Sequence, residues 1–444
     1  MIAAAIGRTF LDAYNNRQMQ QGGSIYDAAG FFEHVFFPHF YNHEKYMQWV
    51  LNSPFDQLSK QKKHSDQQYR FENLGKFKAA LSNSKPHAGI AVGFPAGNKL
   101  DSKGERVVEF ATTSSQVSTL DVPIDTETMY LSWIGGGLGI GVQGGLCIFF
   151  NEPDILLMLF DGWKLYRESY LNKISKLKGS QIETWNGQWI AHRLDEDFLP
   201  EEPLLDFAPI EKGGEKLETQ SWVKVAVGLA MNFPNSQLLG YVYSYGQTNR
   251  SIGFIPFVLP QIKKPLTLYR RLFDTEAKLS QTKLEELFGT EYGFLKACEM
   301  GVIGLKAMEP KGIRAYLGFE GEAKLPKYSK NEDSQPLHFS IYITWIIAML
   351  NNEELWTKAE EYAQALIKYE EGAGKAKKDR TNDVTSFLKV SFPRPLMDAL
   401  TTIAEKAEER DSLLELGKAI HFLPKDNVPY FMTLIRFRYA FLKK

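Results

Sequence analysis

Apolar positions recur in two different rhythms along this chain. Beyond residue 336 they fall every three or four positions: Ile341, Trp345 and Ala348, then Leu355, Ala359, Tyr362 and Leu366. That spacing belongs to helices with one buried face. It predicts helices over 337–350, 353–369, 396–410, 413–422 and 429–442, and no strands. The longer first part is mixed. Residues 2–20 carry Ile2, Ile6, Phe10, Ala13 and Tyr14 at helical spacing. Gly22-Gly23 stops that helix, and Ser24 is placed to cap the next. Residues 25–51 are dense in aromatics and predict two helices broken at Pro38. Residues 154–178 predict another helix, capped by Asp154 and ended by Gly179. Its apolar face carries Ile155, Leu159, Trp163, Tyr166 and Tyr170, and Lys164, Arg167, Lys173, Lys176 and Lys178 fall to the solvent side.

Short apolar runs predict the strands. Residues 129–134 and 146–150 flank a glycine-dense stretch, 135–145, and predict strand, glycine loop, strand. Residues 181–193 predict a hairpin turning at Asn186-Gly187. Runs 238–245 and 251–259 predict another, with Asn249 and Arg250 at its tip. Residues 222–230 fit a buried helix or a buried strand equally. The fold class expected is α+β: a mixed α/β body over residues 1–330 with a glycine-rich hairpin, then an all-helical bundle over 336–444. The polar stretch 323–336 separates the two.

Composition narrows the function. At 444 residues, 44% hydrophobic and 24% charged, the chain has material for a large core. Its net charge of -1 leaves no overall basic excess for nucleic acid, so any such surface must be local. Cys147 and Cys298 are the only cysteines, too few for a zinc site or a disulfide framework. With no leader pattern in MIAAAIGRTF and no long apolar span, a cytoplasmic protein is expected. His39 and His43 stand four apart, but no HExxH accompanies them, and no metal site is assigned.

Gly139, Gly141 and Gly144 spell GxGxxG. A dinucleotide fingerprint needs a helix opening after the glycines. Here LCIFF follows, an extended run that Asn151-Glu152-Pro153 closes. The chain has no P-loop, no GxSxG and no cysteine–histidine signature. No catalytic residue and no cofactor is therefore assigned. What remains is a bare glycine tip able to lie against a groove, with Gln143 inside it to meet a base edge. Asn249 and Arg250 suit a base edge or a phosphate, and Lys60, Lys62 and Lys63 suit phosphates of an incoming duplex. Each has an alternative as a solvated loop residue. A nucleotide-binding enzyme using residues 135–145, or a scaffold binding only protein, are the competing functions.

The stretches FFEHVFFPHFYNHEKYMQWVLNSPF (31–55) and WIGGGLGIGVQGG (133–145), with the terminal helix 428–444, resemble the compact large subunits of type I CRISPR Cascade complexes, of type I-B or the myxococcal type. The architecture is similar over most of the chain. One departure is plain: many type I-B relatives carry a four-cysteine zinc finger, which two cysteines cannot build. The resemblance implies an RNA-guided subunit that reads the PAM on duplex target DNA and supports R-loop formation. Its implied partners are crRNA-containing backbone and small subunits, and downstream nuclease-helicase or transposition proteins. It further implies a bundle similar to a Cascade small subunit, for which Met349 is an early internal start.

Overall fold

The computed structural model describes residues 2–48, 50, 55, 67–82, 99–100, 106–107, 125–244, 250–273, 289–328, 334–372 and 377–443. The fold is α+β, with a small four-stranded antiparallel sheet and a helical carboxyl-terminal part. It divides into two compact units. The first comprises Met1–Asn232, Gln237–Phe257 and Gly293–Val302; the second comprises Phe233–Ser236, Val258–Tyr292 and Ile303–Lys444. The helical unit thus takes in the chain from Val258, well before the polar stretch at 323–336.

The first unit opens with α1 (Ile2–Gln21), ended by Gly22 at φ +69°. Left-handed backbone of that kind favours glycine. Asp27, rather than Ser24, caps the next helical run: its side chain accepts from the Gly30 N–H at 2.7 Å. That run is α2 (Ala28–Phe31), a π turn (Phe32–Phe36) and α3 (Phe37–Phe40) in unbroken succession. Pro38 does not split it. Pro38 directly follows the π turn, where the regular i→i−4 ladder is already interrupted, so its missing donor breaks no further bond of that ladder. The widened turn before it is closed by the Phe37 N–H bonding the Phe32 carbonyl.

Gln67–Ser82 forms α4, and Lys99–Leu100 pairs with Arg106–Val107 as β1 and β2. Then comes the main departure from the sequence reading. Residues 129–134 lie in a helix, α5 (Thr126–Gly136), capped by Asp125, whose side chain accepts from the Thr128 N–H at 2.7 Å. Gly135 and Gly136 are its last turn and not part of a loop. The reason is contact with α1. A Cβ on Gly135 would meet the Ala3 carbonyl oxygen at 1.9 Å, and one on Gly7 would meet that of Leu131 at 2.0 Å. Each helix gives up a side chain so that their backbones can touch. Met129 to Gly136 are all buried, so no amphipathic period marks the helix.

The sheet has the order β3 (Ile140–Val142), β4 (Leu146–Phe150), β5 (Gln237–Ser244), β6 (Arg250–Val258). The hairpin expected of the last two strands is present. In register, Ile148 faces Ile140 on one side and Val242 on the other. Helix α6 (Pro153–Leu165) follows β4 and runs into a second π turn, Tyr166–Leu171. Glu152 holds its cap position, with Pro153 in the first turn. The hairpin expected at Asn186-Gly187 is a helix, α7 (Ile182–Arg193). Gly187 serves there not as a turn but as a contact: its Cβ would lie 2.0 Å from the Gly141 carbonyl oxygen. Residues 222–230 resolve to helix, in α8 (Trp222–Asn232). The unit's core is aromatic, with Phe36 stacked on Phe40 at 4.0 Å and Phe40 edge-on to Trp163 at 4.7 Å.

The second unit contains α9 (Leu259–Phe273), and α10 (Phe294–Glu299) returns to the first. After α11 (Arg314–Leu317) come α12 (Ser334–Leu350), α13 (Glu354–Glu371), α14 (Lys377–Lys389), α15 (Pro393–Lys406), α16 (Asp411–Phe422) and α17 (Val428–Leu442). Among the described residues from 334 onward there is no strand. Trp345, Leu366, Leu396 and Phe431 fill the core from helices that the sequence period predicts, and Phe387 joins them from α14, which it does not. Among the described residues no helix is long and apolar enough to cross a membrane, and no cluster of three or more His, Cys, Asp or Glu is placed to hold a metal.

Candidate nucleic-acid interface

The glycine-dense stretch splits into three pieces with different work. Gly135 and Gly136 end α5, and Gly139 and Gly141 are buried. Only Gln143, Gly144 and Gly145 are exposed, as the turn joining β3 to β4. Gly144 (φ +90°) and Gly145 (φ +68°) supply the left-handed backbone that so short a hairpin needs. Gly139 and Gly141 do not form a tip. A Cβ on Gly139 would meet the Cys147 Sγ at 2.5 Å, and one on Gly141 would meet the Glu183 backbone at 2.8 Å. The Asn186 amide seals this approach, donating to the carbonyls of Gly137 at 2.8 Å and Gly139 at 2.9 Å. As DNA contacts these two glycines are therefore corrected. They are packing positions that carry the turn, and their burial keeps them from any duplex.

Gln143 itself is held by main chain. Its N–H donates to the Gln220 carbonyl at 2.9 Å, and Val142 forms a parallel bridge with Gln220. The Gln220 amide reaches the Gln188 side-chain oxygen at 3.4 Å, and the Gln188 amide reaches the Glu218 carbonyl at 2.8 Å. Gln181 joins the next layer, accepting from the Leu217 N–H at 3.0 Å and donating to the Lys178 carbonyl at 2.7 Å. The turn so rests on a ledge of segments 178–188 and 215–221. Exposed cations on the same segments and their flanks are Lys173, Lys176, Lys178, Lys212 and Lys216, interspersed with Glu211, Glu215 and Glu218. Lys178 is paired with Glu215 at 2.5 Å.

Strand register decides which other candidates share this end. Leu146, the first residue after the turn, pairs with Ser244, the last of β5. The β5–β6 connection therefore leaves the sheet at the same end as the Gln143 turn. Arg250 begins β6 there. Asn249, Lys60, Lys62 and Lys63 lie outside the described residues.

Arg167 is the residue that the sequence placed wrongly. It was assigned to the solvent face, yet it is only 3% exposed. Arg167 stands four residues after buried Trp163, on the inner edge of the helix, at the start of the π turn Tyr166–Leu171. Its Nε donates to the His39 carbonyl and its Nη1 to the Lys45 carbonyl, both at 2.8 Å. Lys45 answers by donating to the Ile174 carbonyl at 2.7 Å. Burial pushes His39 below the usual histidine range, and burial followed by the Arg167 charge pushes His43 down to about 4. His43 is therefore neutral at physiological pH. His39 Nδ1 lies 2.8 Å from the Val35 carbonyl oxygen, a local helix contact. The amide braces Gln188 and Gln220 escaped the sequence reading: Gln188 lies in α7, a stretch read as a hairpin, and Gln220 lies in a loop, which gives no period to follow.

A phosphate cradle at the glycines would require a helix N-terminus after them; β4 stands there instead. The arrangement offers an exposed glutamine on a turn anchored to Gln220, the start of β6 at Arg250 at the same end of the sheet, and lysines on the supporting ledge. No known family model matches this sequence, and no characterised protein or solved structure matches it either.

Proposed function

We propose that this chain is the large subunit of an RNA-guided type I CRISPR surveillance complex, reading the PAM on duplex target DNA and supporting R-loop formation. The observation that carries the reading is the register pair Leu146–Ser244. It brings the Gln143 turn and the start of β6 at Arg250 to one end of the sheet. An amide that meets a base edge must be held still, and Gln143 is anchored through its own backbone to Gln220. Phosphate contacts would come from lysines on the ledge and from Lys60, Lys62 and Lys63. A net charge of -1 provides little affinity alone, so tight binding belongs to the assembly with crRNA, backbone and small subunits in the cytoplasm. Cleavage or transposition falls to partner proteins, and the subunit itself is not an enzyme.

The test is binding of the assembled complex to a library of PAM sequences. Gln143→Ala should weaken selection among PAMs by roughly 1–3 kcal/mol, the size of one lost base contact, and leave assembly intact. Lys62→Ala should lower affinity for all duplexes about equally and flatten the salt slope. A Gln143→Ala complex with unchanged PAM preference would overturn the assignment. A chain that fails to enter any crRNA-containing complex would overturn the function.

A further inference from the structure

Among the described residues two arginines are buried without a carboxylate, and the fold serves them differently. Arg436 spends all five of its N–H groups, on the carbonyls of Leu388, Tyr316 and Val390 and the hydroxyls of Thr433 and Ser391. Arg167 makes two hydrogen bonds, from Nε to the His39 carbonyl and from Nη1 to the Lys45 carbonyl. Its Nη2 is closed off from solvent and has no acceptor. Burial lowers the guanidinium only to about 10, so its charge stays at neutral pH. A buried cation with donors to spare is a costly group unless an anion meets it.

The two carbonyls that Arg167 holds bracket a surface turn. Asn42 and His43 are half-buried in it, and the Asn42 Oδ1 is a second buried polar atom with no partner. The backbone N–H groups of His43, Glu44 and Lys45 donate to no main-chain carbonyl among the described residues. Successive N–H groups left open in a turn make a concavity for an anion. The Lys45 ammonium lies on the Leu171 and Ile174 carbonyls, and among the described residues no carboxylate is in ion-pair reach of it. Burial, then the charges of Arg167, Arg70 and His39, hold His43 low, which marks the turn as electropositive. The carboxylates that act here, Glu44 on Lys45 and Glu168 on His39, are both exposed, and Glu168 leans on Lys164 at 3.9 Å.

These groups ask for a specific chemistry. The ligand must be an anion that accepts from Nη2 and from the N–H groups of the turn, and it must also donate to the Asn42 Oδ1. Chloride, a carboxylate and a phosphodiester have no proton to give. A phosphate with at most one ester bond keeps an O–H near neutral pH. We infer that the turn over residues 39–45, backed by Arg167 and Asn42, is a binding site for one phosphate group of that kind, free or terminal on a nucleotide. The inference stands on this turn alone and does not depend on the DNA reading.

Inorganic phosphate is the probe, exchanged for chloride at constant ionic strength on the full chain. The Arg167 Nε–H resonance of protein with isotope-labelled arginine, identified by its absence in Arg167→Lys, should move and saturate, half-complete at about 1 mM. The Arg436 resonance, with every donor already engaged, should stay in place. The melting temperature should rise along the same saturating curve, over the unsaturated rise that phosphate gives any protein by exclusion from its surface. Asn42→Asp places a carboxylate where the ligand belongs. It should melt above wild type in chloride and lose the saturating rise. A 5′-phosphorylated oligonucleotide that also moves the Arg167 resonance supports the site and names a nucleotide as the source; a response to inorganic phosphate alone supports it and names the free ion. An Arg167 resonance unmoved at about 50 mM phosphate, a saturating rise that survives in Asn42→Asp, or an equal response to a 5′-hydroxyl oligonucleotide would overturn the inference.

Discussion

Arg436 donates from Nη1 to the Tyr316 carbonyl at 3.0 Å, from a position with no exposure to solvent. Its other hydrogen bonds go to the carbonyls of Leu388 at 2.5 Å and Val390 at 2.6 Å and to the hydroxyls of Ser391 at 2.9 Å and Thr433 at 3.0 Å. Burial pushes the guanidinium down to about 9, which keeps it charged at neutral pH. One planar fork thus satisfies the carbonyl ends of α14 and α11 and fastens them to α17. Arg436→Met would fill similar space and take this donor from the Leu388 and Val390 carbonyls, while the Tyr316 carbonyl keeps the Thr433 hydroxyl at 3.1 Å. The expected loss is on the order of 3–5 kcal/mol, read as a lower urea midpoint for the bundle by far-UV circular dichroism. An unchanged midpoint would show the network to be dispensable.

The glycine contacts give the next prediction. Gly135→Ala sets a methyl where the Ala3 carbonyl oxygen lies 1.9 Å away, and no flexible side chain is there to move aside. The cost should be about 3 kcal/mol, seen as a lower melting temperature. Gly141→Ala should act similarly through the Glu183 backbone. Gln143→Ala, on the exposed turn between them and β4, should stay within about 0.5 kcal/mol of wild type. Equal tolerance of all three would contradict the packing role given to the buried glycines.

Glu183 supplies a pH signature. It stands in the first turn of α7, and burial pushes its carboxyl up from 4.5 to about 7. The folded state therefore holds a proton that the unfolded state releases across this window. Stability from this group is present below about 4.5 and is lost as pH rises to about 7. Glu183→Gln removes the dependence. It should be as stable as wild type near pH 4 and more stable near pH 8, by about 1–2 kcal/mol once the residue's partial exposure is allowed for. A gap of constant size at both pH values would refute the assignment.

Several elements were legible because one face of each is wet. Leu355, Ala359, Tyr362 and Leu366 keep helical spacing because the opposite face of α13 meets solvent, and the bundle follows from that rhythm. Strands β5 and β6 were found from two apolar runs and a polar tip. Gln143 was singled out from its glycines, and it is exposed on the turn together with Gly144 and Gly145.

What the sequence by itself determined, then, is wherever burial is one-sided: the bundle, the β5–β6 hairpin and the position of Gln143. The tertiary structure decided the rest, for a common reason. Residues Met129 to Gly136 are buried on every side, so helix and strand leave the same apolar run. Asn186-Gly187 carries turn chemistry, yet Gly187 is spent on a backbone approach to Gly141 that only the folded neighbours require. Arg167 reads as a surface cation until the folded neighbours offer the His39 and Lys45 carbonyls to its guanidinium. Local pattern records which side of an element faces water; it holds no record of which backbones will touch.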